Sequence, residues 1–477
     1  MTRYVIKSRP TAIVSDSRDV VAGALFLAYP GKRSDGRAYI ADAIEKKASA
    51  VLWDPKHFDW NPDWAIENTP VANLKLQAGK IADQFYAKPS VKLWTVGVTG
   101  TNGKTSVTQW IAQCLNYFGT KAAVIGTLGN GLPKALEHTA NTTPDALVLQ
   151  KTLAEYVQQE VEAVAMEVSS HGIHQGRVNG VHFDVAVLTN LSRDHLDYHG
   201  SYEKYAAVKK RLFFIEGLKH VILNNDDDFG GEIKKELSTS DVGVLTYGIN
   251  GGDIQASKVN VENGRIRFFV TTPYGQSDVS ANLVGRFNVY NVLAVLATLL
   301  VSKVALTDAV EAIANIEPLS GRMQKFGGGK LPLVVVDYAH TPDSLKNVLL
   351  ALKEEAKQRL ICVFGCGGNR DQGKRAMMGA VASEFADGVV VTSDNPRDED
   401  PDKIIQAILE GVNGEYAVEE DRAKAILIAI SNAQAGDAVL IAGKGHEDYQ
   451  EIAGEKHHFS DAEQVTKVLK RYEVTSA

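Results

Sequence analysis

At 477 residues, with 44% hydrophobic and 23% charged side chains, the chain has the composition of a soluble globular protein too long for one ordinary core. A formal net charge of −7 offers no basic face to nucleic acid or anionic lipid, so neither class of partner is expected. The opening Met1-Thr2-Arg3-Tyr4-Val5 lacks a signal-peptide core, no apolar run approaches the length of a membrane span, and three cysteines (Cys114, Cys362, Cys366) lack disulfide or metal-ligand spacing, which together predict a cytoplasmic protein with packing thiols.

Residues 1–90 read as a small α/β module. The polar Ser15-Asp16-Ser17-Arg18 precedes a strand-like run at 24–29, a turn from Pro30 to Arg37, a helix-like stretch to Lys47 and a strand at 50–53. Polar loops at strand ends are where an α/β fold places a ligand, although a solvated loop accounts for this segment equally well. Pro89 marks a boundary.

A second unit is expected over 91–326. The apolar Leu93-Trp94-Thr95-Val96 leads into Gly97-Val98-Thr99-Gly100-Thr101-Asn102-Gly103-Lys104-Thr105-Ser106, the layout of a phosphate-binding loop. Glycines let backbone N–H groups close around phosphate oxygens, Lys104 neutralises charge, and the Thr105 hydroxyl suits Mg²⁺, so ATP is the expected nucleotide. Val98 stands where the common pattern has its first glycine. Val107, Trp110, Ile111, Cys114, Leu115 and Phe118 then recur at helical spacing, with Gly119 as the C-terminal stop. Apolar runs at 122–125, 163–168 and 185–189 alternate with helical patterns and predict a mostly parallel sheet. Residues 250–286 predict an antiparallel β insertion.

A third unit, 327–477, begins at Gly327-Gly328-Gly329 and has strand-like runs at 334–337, 360–364, 388–392 and 438–441, each opening into a polar or Gly-rich loop. A Rossmann-like sheet follows. Gly365-Cys366-Gly367-Gly368 is no dinucleotide fingerprint, because Arg370 occupies the third glycine position. The predicted fold class is α/β, in three domains: a small α/β amino-terminal one, a central P-loop domain with a parallel sheet and a β insertion, and the Rossmann-like one.

Three residues at strand ends compete as metal ligands: Glu167, Asp337 and, within Thr189-Asn190-Leu191-Ser192-Arg193-Asp194-His195, His195. The basic segment 204–213 reads by itself as a helix with a solvated face. Asp394-Asn395-Pro396-Arg397 follows a strand, its proline restraining the turn and Arg397 offering a planar fork for a carboxylate. With Arg370, and with Glu447 in Gly443-Lys444-Gly445-His446-Glu447 facing an amine, these residues describe an amino-acid pocket.

These motifs resemble the Mur ligase family, the ATP-dependent enzymes of peptidoglycan precursor synthesis. The resemblance runs from Asp16-Ser17-Arg18, through Gly100 to Thr105, Met166-Glu167-Val168-Ser169-Ser170-His171 and Thr189 to His195, to Tyr338-Ala339-His340-Thr341-Pro342 and beyond. It explains Val98 as a family variant of the loop. It implies that Gly100, Thr101, Asn102, Gly103, Lys104, Thr105 and Ser106 hold ATP phosphates, with Asn288, Arg322 and Asp337 as further nucleotide contacts. Thr105, Glu167, His195 and Lys209 would serve Mg²⁺, Lys209 as an N6-carboxylysine carbamate, which reverses the solvated reading of that helix. Lys104, Lys209, His195 and Glu167 would be the catalytic set. Ser15, Ser17 and Lys32 to Ser34 would meet the UDP end of the acceptor. Asn141, Thr142, Thr143, Ser169, Gln175 and Arg177 would hold its muramoyl dipeptide. Arg370, Asp394, Asn395, Pro396, Arg397, Gly443 and Glu447 would bind meso-2,6-diaminopimelate, because Asp394 to Arg397 is similar to the motif of members that add it in place of L-lysine. The implied reaction joins diaminopimelate to UDP-N-acetylmuramoyl-L-alanyl-D-glutamate through an acyl phosphate, in a cytoplasmic monomer serving cell-wall biogenesis, cell shape and division. L-lysine as the amino acid, a folate or another muramoyl precursor as acceptor, and a P-loop regulatory ATPase are the competing expectations.

Overall fold

Each apolar run that the sequence places before a polar loop becomes a buried strand, and most of these strands are parallel. The structure is a computed structural model that describes residues 6–31, 34–139, 141–262 and 264–475, so Lys32 and Arg33 lie outside the described residues. The chain divides into two compact units. One comprises Met1–Thr99, Gly119–Ala186 and Val208–Val221, the other Gly100–Phe118, Val187–Ala207 and Ile222–Ala477.

In the first unit, β1 (Ala12–Val14), β2 (Ala24–Ala28), β3 (Ala50–Trp53) and β4 (Glu67–Pro70) form a parallel sheet in that order. Every residue of β2 and β3 is buried, as expected when both faces are covered. Alternation along the strands sorts the side chains. Leu25, Leu27 and Leu52 pack with Leu74, Ala78 and Ile81 of the helix Leu74–Phe85, whereas Phe26, Val51 and Trp53 pack with Ile40 and Ala43. The same unit holds β5 (Trp94–Thr99), β6 (Ala122–Gly126), β7 (Gly129–Leu132), β8 (Ala135–Glu137) and β9 (Ala163–Glu167), ordered β5-β9-β6-β7-β8. The first three in that order are parallel, and β7 and β8 add an antiparallel edge the sequence pattern did not announce. Val98 pairs with Glu167, so the ends of β5 and β9 lie side by side.

The division between units falls within β10 (Val185–Leu188) and β11 (His220–Asn224). In the second unit, β12 (Gly243–Gly248) pairs parallel with β13 (Ile254–Glu262), and β13, β14 (Arg265–Thr272) and β15 (Gly275–Ala281) form the expected antiparallel insertion. Along β14, Ile266, Phe268 and Val270 are buried while Arg265, Arg267 and Thr271 face water. The helix Phe287–Val301 is buried almost all round.

The last sheet of this unit contains β16 (Gln324–Gly327), β17 (Leu333–Asp337), β18 (Leu360–Phe364), β19 (Gly388–Val391), β20 (Tyr416–Val418) and β21 (Ala438–Ala442), ordered β16-β17-β21-β18-β19-β20. All are parallel except β16. The Rossmann-like reading holds, with β16 and β20 as edges too short or too polar to have been read. Alternate residues again face opposite layers. Val335, Phe364 and Leu440 pack with Leu345, Leu349 and Met378, and Val334, Val363 and Ile441 with Ile426, Ile430 and Val468. A hairpin, β22 (Tyr449–Ile452) and β23 (Glu455–His458), follows. All three cysteines are free and buried, and burial pushes the Cys114 and Cys366 thiols up to about 12, in keeping with packing roles.

Candidate active site

The phosphate-loop candidate belongs to the second unit, where the helix Lys104–Tyr117 starts on Gly103. Gly103 has φ +83°, and a Cβ there would stand 2.4 Å from the Asn291 amide oxygen, so only glycine allows this approach. The loop is braced by the segment after β10. Thr101 N–H donates to Asn190 O at 2.8 Å, Asn102 N–H to Asn190 Oδ1 at 3.0 Å, and Asn190 Nδ2 and Thr189 Oγ1 both donate to Asn102 O. Thr101 also shares a hydrogen bond with the Tyr205 hydroxyl at 3.1 Å. The Lys104 ammonium donates to Gly100 O and Thr101 O, at 2.9 and 2.8 Å. Ser106 is buried in the first helical turn.

Three other expected nucleotide contacts gather around this loop. Arg322 Nη2 donates to Thr105 Oγ1 at 3.1 Å, and its guanidinium lies 4.5 Å from the centre of the Tyr338 ring. Asp337, at the end of β17, accepts the Met323 N–H at 2.8 Å, and burial raises its pKa despite the charge of Arg322. Asn288 is reached indirectly: its Oδ1 accepts from Asn291 Nδ2 at 2.8 Å, and Asn291 is the residue that abuts Gly103. Asn291 lies one helical turn from Asn288, a spacing that could have drawn attention to it.

His195 carries φ +55° and sits 3.3 Å from its neighbour Asp194. Asp194 is also 3.8 Å from both His340 Nε2 and Lys374 Nζ. Burial alone would raise the Asp194 pKa; the nearby His340, His195 and Lys374 overcome it and hold the carboxyl well below its usual range. Nearby, Arg193 grips Asp371 through two bonds of 3.1 and 3.3 Å. Sequence reasoning assigned no role to Asp194, His340, Lys374 or the Arg193–Asp371 pair.

In the first unit, Glu167 ends β9 with Oε1 accepting Thr127 N–H at 2.8 Å and Oε2 accepting Thr127 Oγ1 at 3.1 Å. Thr127 in turn shares a hydrogen bond with Thr142 at 3.0 Å. Thr143 Oγ1 donates to Glu167 O at 2.8 Å and lies 3.1 Å from Ser169 Oγ, while Ser169 caps the short helix Ser170–His174. Arg177 donates to Thr143 O at 2.6 Å and twice to Gln175 Oε1. Asn141 stands outside these bonds, its carbonyl accepting from Thr139 at 3.2 Å. Of the residues assigned to the muramoyl dipeptide, Thr142, Thr143, Ser169, Gln175 and Arg177 therefore form one network with Glu167, with Thr127 as the member not foreseen.

Lys209 is 1% exposed, on the same helical face as Tyr205, and its Nζ lies 3.5 Å from Thr99 Oγ1 at the end of β5. The solvated reading of this segment is thus corrected for Lys209. Lys204 and Arg211 keep it, because they point to the opposite side. Ser15 hydrogen-bonds the Tyr29 hydroxyl, whose pKa burial pushes up to about 12, and Ser17 opens a turn capped by Asp16.

The amino-acid pocket candidate forms where loops from β18, β19 and β21 meet. Asn395 is its hub: Nδ2 donates to Glu447 Oε2 at 2.8 Å, and Oδ1 accepts from Lys444 Nζ at 3.0 Å and Glu451 N–H at 2.9 Å. Arg397, at φ +53°, donates through Nε to Glu451 Oε2 at 3.1 Å and through Nη1 to Gly368 O at 2.9 Å. Holding a non-glycine residue in that region costs about 1 kcal/mol or more, and a second pair of backbone bonds to β22 and Ala453 keeps it there. Pro396 accepts the Glu399 N–H and closes the turn, and Arg370 is exposed beside it. Gly443, at φ +118°, lets Asp394 approach: a Cβ there would lie 2.5 Å from Asp394 Oδ2. Beneath, the fully buried Arg422, paired with Asp461, donates to Ala442 O and Ser393 O, tying the ends of β21 and β19 together. Lys444 lies inside the Gly443 to Glu447 stretch but was given no role there, and Glu451 and Arg422 lie in no motif; all three were missed.

The fold and these sites define a class. The sequence matches the Mur ligase family catalytic domain over residues 10–86, the Mur ligase middle domain over 98–299 and the Mur ligase glutamate ligase domain over 321–445. The chain belongs to the Mur ligase family. It is 52% identical over 453 residues to the UDP-N-acetylmuramoyl-L-alanyl-D-glutamate--2,6-diaminopimelate ligase of Chromobacterium violaceum, covering 94% of this chain and 92% of that one. A solved structure of a ligase of the same name is similar at a TM-score of 0.71 and 35% identity, covering 99% and 98% of the two chains. The fold is shared as well by the MurF ligase of Thermotoga maritima, solved in complex with ADP, at a TM-score of 0.68 and 18% identity over 99% of this chain and 100% of that one.

Proposed function

We propose that the chain is an ATP-dependent ligase that joins meso-2,6-diaminopimelate to the D-glutamyl γ-carboxylate of UDP-N-acetylmuramoyl-L-alanyl-D-glutamate, as a cytoplasmic monomer in peptidoglycan precursor synthesis. The observation that carries this reading is the pocket around Asn395. It combines a guanidinium suited to a carboxylate, Arg397, with a carboxylate suited to an ammonium, Glu447, on loops at the carboxyl ends of parallel strands. The 52% identical relative, named for this reaction, supports it.

In the reaction proposed, a carboxylate oxygen of the acceptor displaces ADP from the γ-phosphorus, giving an acyl phosphate. The diaminopimelate nitrogen then bonds to the acyl carbon, the C–O bond to phosphate breaks, and the amine gives up a proton. Lys104 and the loop N–H groups at the start of their helix offset charge on the transferred phosphoryl group. Thr105, Glu167, His195 and Lys209 as a carbamate are the residues assigned to Mg²⁺, which supplies charge neutralisation to the phosphates when bound. Among the described residues no group of three or more His, Cys, Asp or Glu is placed to hold a metal ion by itself. The Thr105 hydroxyl and the Glu167 carboxylate are oxygen ligands of the kind Mg²⁺ takes, alongside waters and substrate phosphates. Asn288, Arg322 and Asp337 are assigned to the nucleotide, and Ser15, Ser17, Asn141, Thr142, Thr143, Ser169, Gln175 and Arg177 to the acceptor. Domain limits at 90 and 326 belong to the same reading. Among the described residues no helix is long and apolar enough to cross a membrane.

Phosphate release measured with ATP, the UDP-muramoyl dipeptide and a panel of amino acids tests the proposal. Release that requires diaminopimelate is the expected result, and Arg397→Ala should raise the diaminopimelate KM far more than the ATP KM. Equal release with L-lysine, or release that needs no amino acid, contradicts it.

A further inference from the structure

Lys444 is fully buried, on the loop after β21. An ammonium in that position is among the costliest groups to bury and persists only where partners hold it. Its partners are both residues of the amino-acid pocket: Asn395 Oδ1 at 3.0 Å and Glu447 Oε2 at 3.3 Å, with the Tyr449 ring centre 5.6 Å from Nζ. Asn395 Nδ2 donates to that same Oε2 at 2.8 Å. Lysine, asparagine and glutamate thus close a triangle in which one glutamate oxygen takes two donors, which fixes the rotation of the carboxylate. The Asn395 oxygen is also the acceptor of Glu451 N–H, and Glu451 in turn holds the Arg397 guanidinium. The buried ammonium therefore stands behind the Glu447 carboxylate directly, and again through the Asn395 amide that donates to the same oxygen.

We propose that Lys444 is a positioning residue for amino-acid selection: it aims Glu447 at the amino acid's ammonium group and offsets part of its charge. The inference rests on the functional reading above. A packing role alone would be better filled by an apolar side chain, which needs no partners. The ammonium donates to side-chain oxygens of two functional residues, Asn395 and Glu447, and not to backbone carbonyls, which favours selection over packing.

A double-mutant cycle on phosphate release tests it, using Lys444→Met, Glu447→Gln and the double variant. Lys444→Met should raise the diaminopimelate KM about tenfold, the order of one lost charge-assisted contact, with the ATP and acceptor KM values within about twofold of wild type. The double variant should be no worse than Glu447→Gln alone. Lys444→Gln, which keeps a donor of nearly the same length, should fall between wild type and the methionine variant, and it carries the same cycle if the methionine variant does not fold. Single effects that multiply in the double variant, or KM values that all rise together, overturn the proposal. A wild-type enzyme that uses another amino acid overturns the functional reading instead, and the cycle run with that amino acid still decides the role of Lys444.

Discussion

Lys209 shows how far a single residue can depart from its local pattern. Its neighbours make the segment basic, yet its own side chain is 1% exposed near Thr99. Carbamylation would turn this cation into an anion able to orient a divalent ion. Lys209→Ala should then lower phosphate release on the order of a hundredfold, the scale of removing one transition-state contact, with partial recovery on adding a short carboxylic acid. Wild-type rates in that variant would dismiss the carbamate. Asp337 makes a second prediction. Burial raises its folded-state pKa above the unfolded value, so its contribution to stability is present below the unfolded value and lost as pH rises through the folded one. Asp337→Asn has no such titration, so its melting temperature relative to wild type should fall as pH drops from about 7 to about 4. Melting curves across that range check this, and a constant difference contradicts it.

At the scale of elements, strand ends and helix starts do the positioning. The helix Pro342–Glu355 begins with a capping box: Thr341 Oγ1 accepts the Ser344 N–H at 3.2 Å, and Ser344 Oγ accepts the Thr341 N–H at 3.1 Å. Its first turn carries Asp343, whose Oδ2 takes the Asn102 Nδ2 at 3.0 Å. Thr341→Ala should cost about 1 kcal/mol, read as a lower urea midpoint, with the diaminopimelate KM unchanged. A midpoint equal to wild type would show that the box contributes nothing. The strands with long apolar runs, β2, β3 and β17 to β19, were legible because parallel strands covered on both faces must be apolar throughout. The edges β8, β16 and β20, and β7 beside β8, were not, since short strands that are partly exposed carry a weak pattern.

For the whole molecule, the line between the two readings follows sequence separation. What the sequence by itself determined is local: the glycine loop with Lys104 and Thr105, Glu167 at the end of an apolar run, and the Asp394 to Arg397 turn. Each is a short stretch whose chemistry and backbone needs coincide, so residue type and spacing suffice. What only the tertiary structure decided is which distant residues complete them. Lys444 meets Asn395 across 49 positions, Arg322 meets Thr105 across 217, and Arg422 holds Asp461 across 39. No periodicity encodes such pairs. Asn395 and Lys444 meet because β19 and β21, far apart in the chain, end at one edge of a sheet. Arg422 and Asp461 meet at two helix starts, and Arg322 reaches Thr105 from the loop before β16. Each does so because a polar group taken out of water must find a partner in whatever segment lies alongside.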